Sequence, residues 1–197
     1  MCDTKQGFIF YSKIPDVIEE FDIYPMERKK EIEETSNEIV KKEKTFVWIL
    51  LLKAIKKTYG YDLKDIIFQK TENGKWICDK CYISISHRKK YVCVALGNID
   101  IGVDIEENKT VVKNLYAKIV NEKEKEQSVL ENPIELWVKK ESVFKLLGEK
   151  RFIPNKINTN DYVNNIFKLT DNYLISVSTK EDISLKLFEI NDIKELE

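Results

Sequence analysis

A segment in the first half of the chain is repeated in the second half, and this repeat constrains the fold more than any other feature. Residues 91–103 align without a gap on residues 173–185, and both copies have the apolar runs and turn residues of paired strands. A segment with helical periodicity accompanies each copy, at 36–59 and at 134–147. The pattern predicts an α+β fold of two similar α/β lobes, each an antiparallel hairpin sheet packed on a long helix, related by pseudo-two-fold symmetry.

The repeat also predicts how the chain is divided. We expect an N-terminal lobe at 1–107 and a C-terminal lobe at 108–197, with the active site between them. The predicted strands lie at 82–86, 91–96, 101–106, 173–178 and 183–188. The second and third strands would form one hairpin, and the fourth and fifth would form the other. Because one chain contains both lobes, we expect a monomer.

Charge and hydropathy exclude several classes of function. The net charge of −1 gives no overall field that would attract nucleic acid or acidic membranes. The longest apolar run, Phe46–Ile55, contains Lys53 and is shorter than the roughly 18 residues of a membrane-spanning helix. The N-terminus lacks the charged start and apolar stretch of a secretory signal. We expect a cytoplasmic protein with no nucleic-acid or membrane partner.

Two of the four cysteines form a C-x-x-C pair, Cys78 and Cys81. A zinc site would need a second pair or a nearby histidine, which the sequence does not offer. A redox motif would open a helix after a strand, whereas this pair precedes a predicted strand. We therefore expect no function for the pair, and reduced thiols as in cytosolic proteins.

An acidic motif occupies the strand after the first turn of the repeat. Side chains alternate along a strand, so Asp104 and Glu106 of Gly102–Glu106 point to the same side, roughly 7 Å apart. In the second copy of the repeat the equivalent residues are Lys186 and Phe188. A purely structural role would not require this asymmetry, although acids on an exposed strand face are also common.

A second motif lies on the helix at 134–147. Trp137, Glu141 and Lys145 have the spacing i, i+4 and i+8, so they share one face of the helix. Alone, the Glu–Lys spacing is a common helix stabiliser of about 0.2–0.5 kcal/mol. Three carboxylates that converge with a lysine, however, suit an oxygen-ligated Mg²⁺ that holds a phosphate chain.

The strand before the repeat ends in polar and cationic residues. Ser86 and the single histidine of the chain, His87, are followed directly by the basic residues 88–90. Such a strand end suits a phosphate, and a solvated turn is the alternative. A turn is also indicated at 72–75, where Gly74 and Lys75 stand.

Taken together, these motifs resemble those of the 4′-phosphopantetheinyl transferases, specifically the monomeric surfactin-synthetase-activating type. The family pattern is a Gly-Lys turn, a Ser-His strand end, Gly-x-Asp-x-Glu and Trp-x-x-Lys-Glu-x-x-x-Lys, and this chain has all four in that order between about residues 27 and 148. The matching residues are Gly74, Lys75, Ser86, His87, Gly102, Asp104, Glu106, Trp137, Lys140, Glu141 and Lys145.

The chain departs from the family pattern at three positions. Trp76 stands where proline is common, and Arg88 stands where serine is common. Lys44 stands where the family usually has an arginine for the 3′-phosphate of coenzyme A, with Arg28 as a further candidate. A lysine offers a point charge without the planar fork of arginine, so this contact is expected to be weaker.

The resemblance implies a Mg²⁺-dependent reaction, with Mn²⁺ as a possible substitute. The phosphopantetheine arm of coenzyme A would pass to a serine of an apo acyl, peptidyl or polyketide carrier protein, releasing adenosine 3′,5′-bisphosphate. Asp104, Glu106 and Glu141 would bind the metal, and Glu141 is alternatively the general base. Lys145 would bind the developing charge, with help from Lys140.

The resemblance also implies the residues that bind coenzyme A. Ser86 and His87 would hold a pyrophosphate or 3′-phosphate oxygen, and the turn of Gly74 and Lys75 would flank the adenylate. The region Val111–Gln127 is expected to form part of the carrier dock. Two other functions stay open: a Mg²⁺-dependent phosphohydrolase acting on coenzyme A or a nucleotide, and a non-catalytic scaffold that binds coenzyme A.

Overall fold

The computed structural model describes residues 4–19, 21–22, 25–109, 114–125 and 132–196. Its α-helices are α1 (Met26–Glu33), α2 (Glu38–Tyr59), α3 (Asn114–Ile119) and α4 (Pro133–Leu147). Its strands are β1 (Gln6–Lys13), β2 (Phe68–Lys70), β3 (Trp76–Cys78), β4 (Tyr82–Arg88), β5 (Tyr91–Gly97), β6 (Gly102–Glu107), β7 (Val163–Lys168), β8 (Tyr173–Thr179) and β9 (Ser184–Glu189). The mixed α+β class predicted from the sequence is confirmed. None of the helices in the described ranges is long and apolar enough to cross a membrane.

Capping residues in the sequence set where the two long helices begin and end. The side chain of Asn37 accepts hydrogen bonds from the first turn of α2, and Gly60 ends that helix with φ = 69°. Asn132 caps α4 in the same way, Pro133 occupies its first turn, and Gly148 ends it with φ = 63°. These caps explain why the sequence located both helices to within a few residues.

The strands form two larger sheets and one small hairpin. The first sheet has the order β4-β5-β1-β9, in which β1 is antiparallel to β5 and parallel to β9. The second sheet is fully antiparallel, with the order β6-β8-β7. Strands β2 and β3 pair with each other in a separate two-stranded sheet, and the turn between them contains Gly74 and Lys75.

Both predicted hairpins are wrong, because the strands that follow each other in the repeat belong to different sheets. Strand β6 leaves β5 and pairs with β8, so that Asp104 lies opposite Ser176. Strand β9 leaves β8 and pairs with β1. The two edges of β5 are taken by β1 and β4, and those of β8 by β6 and β7, so neither strand has an edge left for its neighbour in sequence.

The two halves nevertheless have the same order of elements. A strand, a long helix and a hairpin follow one another as β1, α2, β4 and β5, and again as β6, α4, β7 and β8. A two-fold axis between the halves stays a prediction, as do the lobe limits 1–107 and 108–197. The sheets themselves separate between β5 and β6.

The cores lie on both faces of the first sheet. Helix α2 covers one face, where Trp48, Leu51 and Val94 are fully buried. The other face shares a core with the second sheet, in which Cys93 of β5 and Val103 of β6 are both fully buried. Helix α4 packs against β6 and β8. Strand β6 contacts both β4 and the second half of α4, so these three elements meet at one place.

Candidate active site

The edge of β6 lies against β4 through two serines. The Ser84 hydroxyl accepts a hydrogen bond from the backbone N–H of Val103 at 2.9 Å, and the Ser86 hydroxyl accepts one from Ile105 at 3.2 Å. Ser86 also donates to Asp104 Oδ1 at 2.7 Å. These hydroxyls satisfy an otherwise open strand edge, and they attach the acidic strand to the Ser-His strand end.

Gly102 is the residue that lets β6 approach α4. A Cβ atom at this position would overlap the Ser142 carbonyl oxygen and lie 2.6 Å from the Leu146 backbone nitrogen. Because both neighbours are backbone atoms of a packed helix, they cannot move aside cheaply. The absence of a side chain at Gly102 therefore allows β6 to pack closely on α4, which brings Asp104 within reach of Lys145.

Lys145 is at the centre of the site. Its ammonium lies 2.6 Å from Asp104 Oδ1 and 2.8 Å from the Ser86 hydroxyl. Asp104 is only 2% exposed, and its second oxygen, Oδ2, is buried with no hydrogen-bond partner in the part of the chain that the structure describes. Buried acceptors are normally satisfied, so this oxygen is a position for a further donor or cation.

The three predicted carboxylates influence one another electrostatically. Burial and the charges of Asp104 and Glu106 together raise the pKa of Glu141 to about 8, against the opposing effect of Lys145. The pKa of Glu106 is also raised, mainly by burial, although Arg88 Nε lies 3.0 Å from its Oε2 atom. The charges of these acids therefore influence one another, while their arrangement as one metal site stays a prediction.

The site fits a hard cation by its chemistry, although it is not arranged as a finished metal site. Among the described residues, no three acidic, histidine or cysteine side chains form a group that could hold a metal ion. Lys145 and Arg88 instead lie against Asp104 and Glu106. The donors are nevertheless all carboxylate oxygens, which Mg²⁺ prefers, and among the described residues no hydrogen-bond donor is found for Asp104 Oδ2.

His87 pairs with an acid that the sequence analysis missed. Its Nδ1 atom lies 2.7 Å from Glu43 Oε2, on α2. Burial lowers the pKa of His87, the Glu43 carboxylate raises it, and the charges of Lys145 and Arg28 lower it. Glu43 precedes Phe46 by three residues and therefore lies on the buried face of α2, so an acid on an apolar stripe was the available signal.

A cavity of about 600 Å³ adjoins this group of residues. It is lined by five of the residues predicted to bind coenzyme A: Arg28, Lys44, Gly74, Lys75 and Lys145. Its other charged lining residues are Lys70, Glu31, Glu34 and Glu149. Ser86 and His87 do not line the cavity, although Ser86 contacts Lys145, which does. The cavity has an excess of cations, and Lys145 connects it to the carboxylates.

The walls of the cavity are held by polar contacts. The Lys75 ammonium donates to the carbonyl of Leu146 at 2.9 Å, which fixes the turn between β2 and β3 to the end of α4. The Lys44 ammonium donates to the Thr35 hydroxyl at 3.0 Å. Lys44 and Lys75 therefore line the cavity from different elements, one from α2 and one from the turn between β2 and β3.

The contacts of Arg28 mainly stabilise the local structure. It is 4% exposed, its Nη1 lies 3.0 Å from Glu31 Oε2, and its Nη2 donates to the Lys44 carbonyl at 2.9 Å. Its guanidinium also lies over the Trp48 ring, 5.2 Å from the centroid. These contacts fasten α1 to α2 at the cavity wall, so Arg28 supports the backbone that carries Lys44.

Lys140 requires a correction to its predicted role as a phosphate ligand. Its side chain is fully buried, and its ammonium donates to Glu124 Oε2 and to the Ile157 carbonyl, each at 2.6 Å. Consecutive helix residues are separated by about 100° around the axis, so the residue before Glu141 points elsewhere. Lys140 stabilises the packing of α4 and does not reach the cavity.

The predicted carrier dock at Val111–Gln127 is only partly visible. Residues 111–113 and 126–127 lie outside the described residues. In the described part, Glu124 is buried by its pairing with Lys140 and by hydrogen bonds from Thr159. The docking role of this region stays a prediction.

Comparison with known proteins gives one informative similarity. No protein-family model matches the chain. The chain is similar to the 4′-phosphopantetheinyl transferase gsp of Aneurinibacillus migulanus, with 28% identity over 114 residues. The aligned part covers 54% of this chain and 48% of that protein, so the chain spans about half the length of the curated relative it matches. The similarity supports the 4′-phosphopantetheinyl transferase superfamily, and the surfactin-synthetase-activating type stays a prediction.

Proposed function

We propose that the protein transfers the 4′-phosphopantetheine arm of coenzyme A to a serine of an apo carrier protein and releases adenosine 3′,5′-bisphosphate. The observation that carries this proposal is the position of Lys145, which lines the cationic cavity and contacts both Ser86 and Asp104. A single ammonium group thus connects a place for phosphates with a place for a hard cation. The similarity to a known transferase supports the same reaction class.

The cavity would take the nucleotide part of coenzyme A. Its volume of about 600 Å³ is in the range of small-molecule sites, about 300–1,000 Å³. Lys44 and Lys75 line the cavity from different elements and would bind separate phosphates, while Lys145 would bind the pyrophosphate nearest the carboxylates. His87, oriented by Glu43, would approach the same pyrophosphate from the end of β4.

Asp104, Glu106 and Glu141 would hold Mg²⁺, or Mn²⁺ in its place. When bound, the ion would neutralise phosphate charge and orient the pyrophosphate. The buried Oδ2 of Asp104, for which the described residues offer no donor, supports this assignment, as does the raised pKa of Glu141, to which the charges of Asp104 and Glu106 contribute. Metal binding would release the proton that Glu141 otherwise holds near neutral pH.

In the reaction, the serine oxygen of the carrier forms a bond to the phosphorus next to the pantetheine, and the bond to the bridging pyrophosphate oxygen breaks. Lys145 stabilises the negative charge that moves onto the leaving phosphate. The serine proton must be removed, and Glu141 in its ionised form would be the base that accepts it. Whether Glu141 acts as base, as ligand or as both is decided by variants that separate metal affinity from turnover.

Intact mass spectrometry of an apo acyl or peptidyl carrier protein, incubated with this protein, coenzyme A and Mg²⁺, tests the proposal. We expect a mass gain of one phosphopantetheine group that depends on the metal. Glu106→Gln should lower the rate about 10²–10³-fold, as for loss of one charge-stabilising group. Glu107→Gln is the matched control, because Glu107 is adjacent on β6 but pairs with Lys89 at 2.8 Å, outside the site.

The alternatives give different results in the same experiment. Hydrolysis of coenzyme A without a modified carrier would support the phosphohydrolase. Binding of coenzyme A without turnover, tested against fatty-acid, polyketide and peptide carriers, would support the scaffold. Absence of coenzyme A binding would refute the proposed function.

A further inference from the structure

The C-x-x-C pair lies outside the candidate active site. Cys78 is the last residue of β3, Cys81 directly precedes β4, and their Sγ atoms are 3.6 Å apart. Both are free thiols and both are half-buried, whereas Cys93 is fully buried in the core. A disulfide needs an Sγ–Sγ distance of about 2.05 Å, so the two sulfurs would have to approach each other by roughly 1.5 Å to form one.

The two sulfurs are held together by the turn between them. The Asp79 carboxylate accepts a hydrogen bond from the Ile67 N–H at 2.9 Å, and the Asp79 N–H donates to the Ile67 carbonyl at 3.2 Å. This double contact fixes the turn to the segment before β2. The proximity of Cys78 and Cys81 is therefore a property of the fold.

Small molecules can reach the pair. Cys78 and Cys81 line a separate cavity of about 350 Å³, together with Ile77 and Tyr82. Ile77 is 40% exposed and Tyr82 is 47% exposed, so the cavity opens to solvent beside both thiols.

The two thiols have different acidities. The hydrogen bond from the Cys81 thiol, together with backbone N–H groups in the turn, lowers the pKa of Cys78 to about 6, against the opposing effect of burial. The same hydrogen bond and burial raise the pKa of Cys81 above its usual range. At neutral pH Cys78 would thus be the nucleophilic thiolate and Cys81 the thiol that resolves a mixed disulfide.

We propose that Cys78 and Cys81 form a reversible dithiol–disulfide site that exchanges with low-molecular-weight disulfides such as oxidised glutathione. The Cys78 sulfur attacks the external disulfide, forms a mixed disulfide and expels one thiolate. Cys81, no longer next to a thiolate, then loses its proton and attacks Cys78, which expels the second thiolate. The protein loses two electrons and two protons, and the external disulfide becomes two thiols. This assigns a function where the sequence predicted none.

The test uses the full chain equilibrated anaerobically in glutathione buffers of increasing oxidised fraction, followed by acid quenching and alkylation. Trypsin cuts after Lys75, Lys80 and Arg88, so a disulfide would link peptides 76–80 and 81–88, which are otherwise separate. We expect the linked pair to accumulate in oxidising buffer and to disappear on return to reduced glutathione. Because no transferase activity is needed, the result does not depend on the proposed function.

Variants separate the roles of the two thiols. Cys81→Ser should accumulate one glutathione on Cys78, whereas Cys78→Ser should form little adduct at Cys81. Cys93→Ser is the control and should leave the midpoint of the titration unchanged. Full alkylation of both thiols at every buffer ratio would overturn the proposal, as would equal reaction of the two single variants.

Discussion

Replacing Lys140 by methionine removes the cation from a buried ion pair in α4. The Lys140 side chain is fully buried, and that of Glu124 is 3% exposed. After the substitution the Glu124 carboxylate would stay buried without its counter-charge. Methionine has a similar length and fills the same space, so the change mainly removes charge and hydrogen bonds.

The size of the effect follows from the remaining contacts of Glu124. Removing one partner of a buried pair costs about 3–5 kcal/mol. Glu124 would keep hydrogen bonds from the Asn121 N–H and from the N–H and hydroxyl of Thr159, each at 2.7 Å. We therefore expect the lower end, about 3 kcal/mol of unfolding free energy. For a chain of this size, that loss corresponds to roughly 6–12 °C in Tm.

Urea unfolding of the single and double variants measures this effect. Glu124→Gln in the Lys140→Met background removes the uncompensated charge, so the double variant should be more stable than Lys140→Met alone. A Lys140→Met protein within about 0.5 kcal/mol of the unmodified chain that had lost coenzyme A binding would refute this reasoning. It would restore the original prediction that Lys140 is a phosphate ligand.

Three further predictions concern the site. Folding raises the pKa of Glu141 from 4.5 to about 8 in the metal-free protein, so its contribution to the free energy of unfolding is present below about pH 4.5 and is lost as pH rises through 8, by a few kcal/mol. Glu141→Gln should therefore flatten the dependence of Tm on pH. An unchanged slope would contradict this prediction. His87 is the single histidine of the chain, so NMR follows its titration directly. Glu43→Gln should lower the pKa of His87, and Lys145→Met should raise it. Shifts of the two variants in the same direction would disprove the assigned contacts. Gly102→Ala should destabilise the chain by about 3 kcal/mol in urea unfolding, because its Cβ atom would overlap α4 backbone, and a loss under about 1 kcal/mol would show that the helix can move.

The local parts of this structure could be predicted from the sequence. Helices α2 and α4 have asparagine caps and terminating glycines, and these signals depend only on neighbouring residues. The convergence of Asp104 and Glu106 follows from strand alternation, and the position of Glu141 above Lys145 follows from helix periodicity. Each of these features depends on the residues of a single helix or strand, so it can be predicted without knowing how the elements pack.

Strand pairing could not be predicted in the same way. The turn between β5 and β6 has the composition of a hairpin, yet β5 is already paired on both edges, partly by β1 from the start of the chain. No strand was predicted at β1 or at β7. The sequence therefore contained no sign that one edge of β5 pairs with β1 and one edge of β8 pairs with β7. Lys140 was misassigned for a related reason, since only the packing of α4 decides which face of the helix is buried.

The pairing of β9 with β1 has a consequence for self-association. Strand β1 contains the apolar run Phe8–Tyr11, which is an effective template for another strand when its edge is open. Strand β9 covers that edge and is mostly exposed on its own side, with Lys186 and Glu189 among its residues. Charged residues on an outer strand discourage further pairing. Proteolytic loss of β9 would therefore expose an aggregation-prone edge, and the shortened chain would assemble through β1 with copies of itself.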